Sequence, residues 1–445
     1  MRFDSLDEWL TWQEQLNPAE IELGLERVRL VLQRLNLEAP DFTVITIAGT
    51  NGKGSSAAML QSIYSTAGYR VGAYTSPHLQ RYNERITLNG VEADDALLCD
   101  AFEQIERARC AESGEVPLTY FEFGTLAAIV IFQQAEVDIA VLEVGLGGRL
   151  DAVNVLEPDV ALVTMVDIDH QSWLGNDRET IAREKAGIYR ANTPAICAEP
   201  APARSLVAHA AEIGADYYGL NEQFSYGLNG AAGEGRWHWR SLSQRYNQSY
   251  EQLPPLGLHG AFQLQNAAGV LMAVTLLQSR FAVEEGELIT GLKQAQLAGR
   301  LQRVVIEEGC ANVECLLDVA HNPSGAKVLR EALATRPCDG ETHAVVAMLA
   351  DKEIGAVVEM MLPVVDHWYV AGLGSILSSR GAAAAVVASS LPKATPALSF
   401  ADVGAATAAA LQKSVAGDRL VIFGSFCTVA EAKSFFEDVG CCEAN

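Results

Sequence analysis

Residues Ile47–Ser56 read IAGTNGKGSS. The stretch follows the apolar run FTVITIAG (42–49) and leads into SSAAMLQSIYSTAG (55–68), which spaces its apolar residues as a helix does and meets Gly68 at its end. A buried strand, a glycine loop and a helix in that order form the setting in which backbone N–H groups and a helix N-terminus cradle an anion. The spelling departs from the usual phosphate loop, G-x-x-x-x-G-K-[ST]. Set on Lys53, that template meets Ile47 where it wants glycine and Gly54 where it wants a hydroxyl. A bare glycine loop reads equally as a turn beside a solvated lysine; the strand and helix around this one favour the cradle, with Lys53 reaching the terminal phosphates. The missing hydroxyl leaves open which side chain would serve a magnesium ion.

Working outward, more buried strands follow: DIAVLEVG (138–145) and DVALVTMV (159–166) are apolar on both faces and alternate with helical stretches. Such runs predict a mainly parallel sheet, whose ligands gather beyond the strands' carboxyl ends. Glu143 and His170 are expected at those ends. Apolar residues at Ile21, Leu25, Val28, Leu32 and Leu35 predict an amphipathic helix begun by Asn17 and Pro18. From about 221 to 255 the composition turns Gly-, Ser- and aromatic-rich, predicting a small β excursion, and helices are expected over 261–296. After LAGRLQ a second α/β series begins, with strands ECLLDVA, HAVVAML, HWYVAGL and RLVIFGS. We therefore expect an α/β protein of two domains, residues 1–297 and a smaller 298–445.

Composition narrows the function. The chain has 445 residues, 49% hydrophobic, and a formal net charge of −24. That balance disfavours nucleic acid and anionic membranes as partners, because little offsets phosphate repulsion. The nine cysteines form no C-x-x-C pair, so they read as reduced thiols, not as a disulfide framework or a thiolate zinc site. The first residues, MRFDSLDEWLTWQEQL, lack the apolar core of a targeting peptide, and a cytoplasmic chain is expected. None of the eight lysines has Asp two residues on, so the guanine reader N-K-x-D is missing and ATP is the better-fitting nucleotide.

Magnesium takes hard oxygen ligands. Glu143 is a lone carboxylate within an apolar run, which costs energy unless it is paired or metal-bound. Ser76, in YTSPHL, offers a hydroxyl, and His170, in VDIDHQSWLG, an imidazole. Each has a plain alternative: a salt bridge, the start of a turn, a helix cap. Lys185, in REKAGIY, reads either as an ion-pair partner of Glu184 or as a modified, metal-adjacent lysine.

The ordered set GTNGKGS, TSPHL, LTYFEFGT, LEVGLGGRLDAVN, DHQSWLG, REKAGI, LDVAHNP and MLADKE resembles the folylpolyglutamate synthase family within the Mur ligase superfamily, over nearly the whole chain. Its bacterial bifunctional members, which are also dihydrofolate synthases, look nearest. The resemblance implies an N-terminal P-loop ATPase domain and a C-terminal Rossmann-like domain. Thr50, Asn51, Gly52, Lys53, Gly54 and Ser55 would cradle the phosphates of ATP. One magnesium would take Ser76 and Glu143, freeing Gly54 to approach phosphate, and a second would take His170 with a carbamylated Lys185. Asn266 and Asp318 would hold the adenosine part, with Arg300 and His321 near the phosphates. A pterin would lie against Thr119, Tyr120, Phe121 and Glu122 and against Leu150, Asp151 and Ala152, with Gly24 to Arg27 nearby. The catalytic set so implied is Lys53, Glu143, His170, Lys185 and His321.

The implied reaction is the ATP-dependent addition of L-glutamate to dihydropteroate and to the glutamyl tail of reduced folates, in a monomer. Two positions depart from the family's pattern: Ala298 stands where proline is expected, and Cys427 where histidine is common. A Mur-type ligase acting on another carboxylate is the nearest alternative. A nucleotide switch without turnover would lack His170 and Lys185. Dinucleotide binding would want an acidic residue near Arg70 to Ala73, where none stands.

Overall fold

In the computed structural model, which describes residues 2–17, 21–111, 114–229, 235–305, 313–373, 380–439 and 442–443, the chain divides into two units. The first comprises Met1–Leu258 with Gln263–Gln296, and the second His259–Phe262 with Leu297–Asn445.

The first unit opens with α1 (Leu6–Leu16) and α2 (Glu26–Leu35), then β1 (Thr43–Ala48), α3 (Lys53–Thr66) and β2 (Val71–Tyr74). A short ribbon, β3 (Ile86–Leu88) and β4 (Val91–Glu92), leads to α4 (Asp95–Arg109) and α5 (Tyr120–Gln134). Next come β5 (Ile139–Glu143), β6 (Val160–Val163), α6 (Gln171–Leu174), α7 (Arg178–Ala186), β7 (Pro194–Cys197), α8 (Arg204–Ile213) and β8 (Asp216–Gly219). These eight strands make one sheet in the order β4-β3-β2-β5-β1-β6-β7-β8. It is parallel from β2 to β8 and antiparallel only through β3 and β4. β1 is buried at all six residues, as a central strand covered on both faces must be. With β5 on one side and β6 on the other, the loop after β1 opens where the strand order reverses, the usual ligand position in such sheets.

The expected β excursion is β9 (Phe224–Leu228), β10 (Trp237–Ser241) and β11 (Ser249–Leu253), a separate antiparallel sheet. Two helices follow, α9 (Phe262–Leu277) and α10 (Glu285–Gln294). α10 packs on α3 so closely that a Cβ on Gly291 would meet Ile63 Cα at 2.5 Å. The Ser62 hydroxyl closes that contact by donating to Gly291 O at 2.7 Å. The helix that carries the glycine loop is thereby locked along its length.

The N-terminal segment differs from its sequence reading. The amphipathic helix begins at Glu26, not at Pro18, which lies outside the described residues, and Asn17 instead ends α1. Ile21 continues the apolar spacing outside the helix and Leu25 only caps it, because Gly24 turns out at φ 153° and donates its N–H to Leu150 O. α1 itself is begun by Ser5, whose hydroxyl accepts from Glu8 N while the Glu8 carboxylate accepts from Ser5 N. Its Trp9 packs with Phe102 and Phe123 in the core. Each such buried aromatic contributes about 1.5–3 kcal/mol.

The second unit comprises β12 (Gln302–Val305), β13 (Glu314–Asp318), α11 (Pro323–Ala334), β14 (Thr342–Val346), α12 (Ile354–Met361), β15 (His367–Ala371), α13 (Ala384–Ser389), β16 (Ala397–Phe400), α14 (Val403–Lys413), β17 (Arg419–Phe423), α15 (Phe426–Asp438) and β18 (Cys442–Glu443). Its sheet runs β16-β15-β14-β17-β13-β12-β18, parallel from β16 to β13 with an antiparallel edge. The chain is thus α/β in both units, as its strand pattern predicts. Among the described residues no helix is long and apolar enough to cross a membrane.

Candidate active site

Strand register builds the glycine loop. Ile47 is level with Glu143 on β5, and Ala48 with Val163 on β6, so the first residues past these strands meet at one place. Thr164 lies beside Gly49, and a Cβ on Gly49 would stand 1.9 Å from its Oγ1. The Thr164 hydroxyl donates to Asn51 O at 2.7 Å. Thr50 N donates to Met165 O at 2.6 Å, and its hydroxyl and Asp167 exchange two bonds of 3.0 Å. Gly52 then begins α3 at φ 90°. That value suits glycine for two reasons: the left-handed backbone, and Asn266 Oδ1 only 2.4 Å from where its Cβ would be. The first turn of α3, Lys53 to Ser55, presents N–H groups that have no acceptor within the helix.

Asn266 therefore stands at the end of the glycine loop, where α3 begins. It donates to Gln263 Oε1 at 2.9 Å, and Gln263 Nε2 donates to the Ser55 hydroxyl at 3.1 Å. Gln263, fully buried, carries no motif signal and was not among the sequence candidates. The same is true of Thr164.

Four of the expected groups converge. Lys53 Nζ donates to Gly49 O at 3.0 Å and lies 4.0 Å from Glu143 Oε1. Glu143 Oε2 accepts from Ser76 N at 3.3 Å, so Ser76 and the carboxylate share one corner. Lys185 Nζ is buried and also donates to Gly49 O, at 3.0 Å. Burial, with Lys53 close by, lowers the Lys185 amine to about 7. Burial likewise raises the Asp151 carboxyl to about 7, against N–H donation from Leu146 (2.8 Å) and Val153 (3.1 Å) and the charge of Lys53.

One of the two alternatives for Lys185 falls here, and the placement of His170 is corrected. Lys185 does not pair with Glu184, whose carboxylate holds Arg149 at 3.0 Å instead; adjacent helical residues point about 100° apart. His170 is not at a strand end. β6 stops at Val163, and His170 stands exposed on the following loop, at φ 51° before the four-residue α6, with no side-chain cap bond. Its N–H donates to Asp169 Oδ1, and Asp169 is close enough to support the charge on Lys185.

The residues expected around a pterin form a second assembly. Thr119 caps α5, exchanging bonds with Glu122 (2.8 and 3.3 Å), and buried Glu122 pairs with Arg27 at 2.9 Å. The Phe121 ring fills the space above Gly145, where a Cβ would approach it to 2.6 Å. Tyr120 meets Tyr82 edge-on, and the Arg85 guanidinium lies over both rings. Arg85 also donates to His78 Nδ1 at 2.7 Å, and burial together with that cation lowers His78 to about 4. Leu150 O accepts from Gly24 N at 3.2 Å, and Ala152 opens a buried 3-10 turn with Asp151 as its cap. Arg85 thus reaches the histidine of TSPHL itself, a pairing the motif alone does not suggest.

In the second unit, Asp318 ends β13 and is held by N–H groups of Leu301 (3.0 Å) and Ala320 (2.8 Å). Burial raises its carboxyl, opposed by Arg300. Arg300 lies 5.3 Å over the Phe426 ring, and His321 Nδ1 is 2.9 Å from Val319 O. Arg300, Asp318 and His321 are thus neighbours, beside the tight turn of Gly299 (φ 70°) and Leu301 (φ 45°).

Comparison with known proteins gives this geometry a context. Residues 47–274 match the Mur ligase middle domain, and residues 299–426 the Mur ligase, glutamate ligase domain. The chain is 41% identical to the dihydrofolate synthase/folylpolyglutamate synthase of Escherichia coli K12, over 96% of this chain and 94% of that protein. E. coli FolC in complex with DHPP and ADP superposes with a TM-score of 0.89 at 39% identity, covering 98% of each chain. The bifunctional folylpolyglutamate synthase/dihydrofolate synthase of Yersinia pestis, complexed with AMPPNP and Mn, gives 0.87 at 40% identity, again with 98% of each chain covered.

Proposed function

Because the chain belongs to the dihydrofolate synthase/folylpolyglutamate synthase family of Mur ligases, we propose that it is an ATP-dependent carboxylate–amine ligase. It joins L-glutamate to dihydropteroate, forming dihydrofolate, and to the glutamyl tail of reduced folates. The observation that carries this reading is a single loop end that combines an anion cradle, Lys53 and, 4.0 Å from its amine, the Glu143 carboxylate.

The chemistry follows from these parts. A carboxylate acylates poorly because oxide is its leaving group. Transfer of the γ-phosphoryl group of ATP onto it gives an acyl phosphate, whose leaving group is phosphate. The glutamate α-amine then attacks the carbonyl carbon, and an amide, ADP and phosphate result. Thr50 to Ser55 orient the phosphates through backbone N–H groups, and Lys53 balances charge on the transferring group. The hard oxygens of Glu143 and Ser76 fit a magnesium ion, and His170 with Lys185 is assigned a second. Magnesium, when bound, neutralises charge on the phosphate oxygens.

An amine brought to about 7 is largely unprotonated just above neutrality, the form that adds carbon dioxide, and this supports carbamylation of Lys185. To the second unit we assign nucleotide contacts through Arg300, Asp318 and His321, with Asn266 in the first. The pterin is assigned to Thr119–Glu122 and Leu150–Ala152. The working form is taken as a cytoplasmic monomer.

ADP release by the purified protein tests the reading, with Mg-ATP and L-glutamate and with dihydropteroate or tetrahydrofolate supplied separately. Turnover with both acceptors is expected. Turnover with tetrahydrofolate alone removes the dihydropteroate activity, and silence with both rejects the folate reading.

A further inference from the structure

His343 and His367 are register partners on the neighbouring parallel strands β14 and β15, so their side chains leave the sheet on one face. Their rings stack with centroids 4.7 Å apart and planes 25° apart. Glu341, two residues upstream of His343, places Oε2 2.7 Å from His367 Nε2. One donor atom from each of Glu341, His343 and His367 lies within 4.8 Å of the other two. Behind them, Asp418 Oδ2 is 3.1 Å from His343 Nε2. That carboxylate is itself fixed by the N–H groups of Val415 and Glu341, each at 2.8 Å. The second nitrogen of His343 faces the Tyr369 hydroxyl at 3.2 Å.

With Nε2 held by Asp418, His343 keeps Nδ1, which faces the Tyr369 hydroxyl, as its other in-plane nitrogen. Carboxylate, histidine and metal in line is the arrangement that orients imidazole ligands. Two imidazoles and a carboxylate make a donor set suited to zinc and its neighbours rather than to magnesium. His343 is buried, while Glu341 is exposed and His367 half-buried, which leaves an entry path on one side.

We propose that Glu341, His343 and His367 bind a divalent transition metal of the zinc class, with Asp418 orienting His343. The site lies at the amino ends of β14 and β15, away from Asp318 and His321, which stand at and just past the carboxyl end of β13. A bound ion ties β14 to β15, and through Asp418 to the start of β17.

The test uses the full chain in excess Mg2+ without nucleotide, titrated with Co2+ alone and then with Zn2+. One saturable Co2+ equivalent per chain is expected, visible as a d–d absorption band that Zn2+ displaces, together with a rise in thermal midpoint on adding Zn2+. His367→Ala and Glu341→Gln, both on the solvent side, should weaken Co2+ binding by about tenfold or more. Their turnover with Mg-ATP in zinc-free buffer should match the parent, which also certifies folding. Absence of a saturable band, or equal binding by parent and His367→Ala, overturns the proposal.

Discussion

The amines of Lys53 and Lys185 converge on a single carbonyl oxygen, that of Gly49, each at 3.0 Å. Lys185 is buried and Lys53 half-buried, and one carbonyl does not offset both charges. The arrangement relaxes by making one amine easier to deprotonate, and the fully enclosed Lys185 is the one lowered, to about 7.

This makes stability depend on pH in a definite direction. Between about 7 and the ordinary value of 10.5, the unfolded chain holds a proton at Lys185 that the folded chain has released. Stability contributed by this residue therefore rises with pH across that window and is flat below it. Lys185→Met removes the titration, so chemical denaturation should favour the variant most at pH 6.5 and less at 8.5. The slope should be at most about 1.4 kcal/mol per pH unit. A difference that stays constant with pH would contradict this account. The same neutral amine should give a 13C carbamate resonance under labelled bicarbonate, absent from Lys185→Met.

Lys53→Ala should fold normally and lose turnover by about 10³-fold, the scale expected when a preorganised charge contact is removed. It also removes one of the two cations on Gly49 O. The labelling midpoint of the Lys185 amine, followed by mass spectrometry against pH, should then move upward. Near-normal turnover would sink the role given to Lys53.

Thr164→Val keeps the shape of the side chain but leaves Asn51 O without its 2.7 Å donor. We expect a loss of about 1–3 kcal/mol in stability and a higher KM for ATP, with kcat less affected. A kcat defect at unchanged KM would mean that the hydroxyl acts in the chemical step instead.

Arg27→Ala strands Glu122, which is buried at 3% exposure. Removing one partner of such a pair costs about 3–5 kcal/mol. Glu122→Gln removes the charge yet keeps an acceptor for Thr119 N, so it should be markedly the more stable of the two. Equal thermal midpoints would show that the ion pair contributes little.

Sequence legibility follows distance along the chain. The strand, glycine loop and helix around Lys53 are contiguous, so their contact was readable. Thr164, Gln263 and Arg85 act across register or across helix packing, which one-dimensional spacing does not encode. The start of α2 was misplaced because apolar spacing runs on through Ile21 and Leu25, where Gly24 has already left the helix. α1 did carry a local sign, Ser5 and Glu8 three apart. Lys185 was seen beside Glu184, but a helix turns neighbours away from each other, and its real partner is 136 residues distant.

The reciprocal bonds of Thr50 with Asp167 and the Thr164 bond to Asn51 have a consequence for binding. These residues surrender their conformational freedom when the chain folds, so little remains to be surrendered when a nucleotide arrives. Phosphate capture at the proposed site would then cost little further ordering of this loop. In the proposed site, discrimination between triphosphate and diphosphate would rest on how many negative charges meet Lys53 and the α3 terminus.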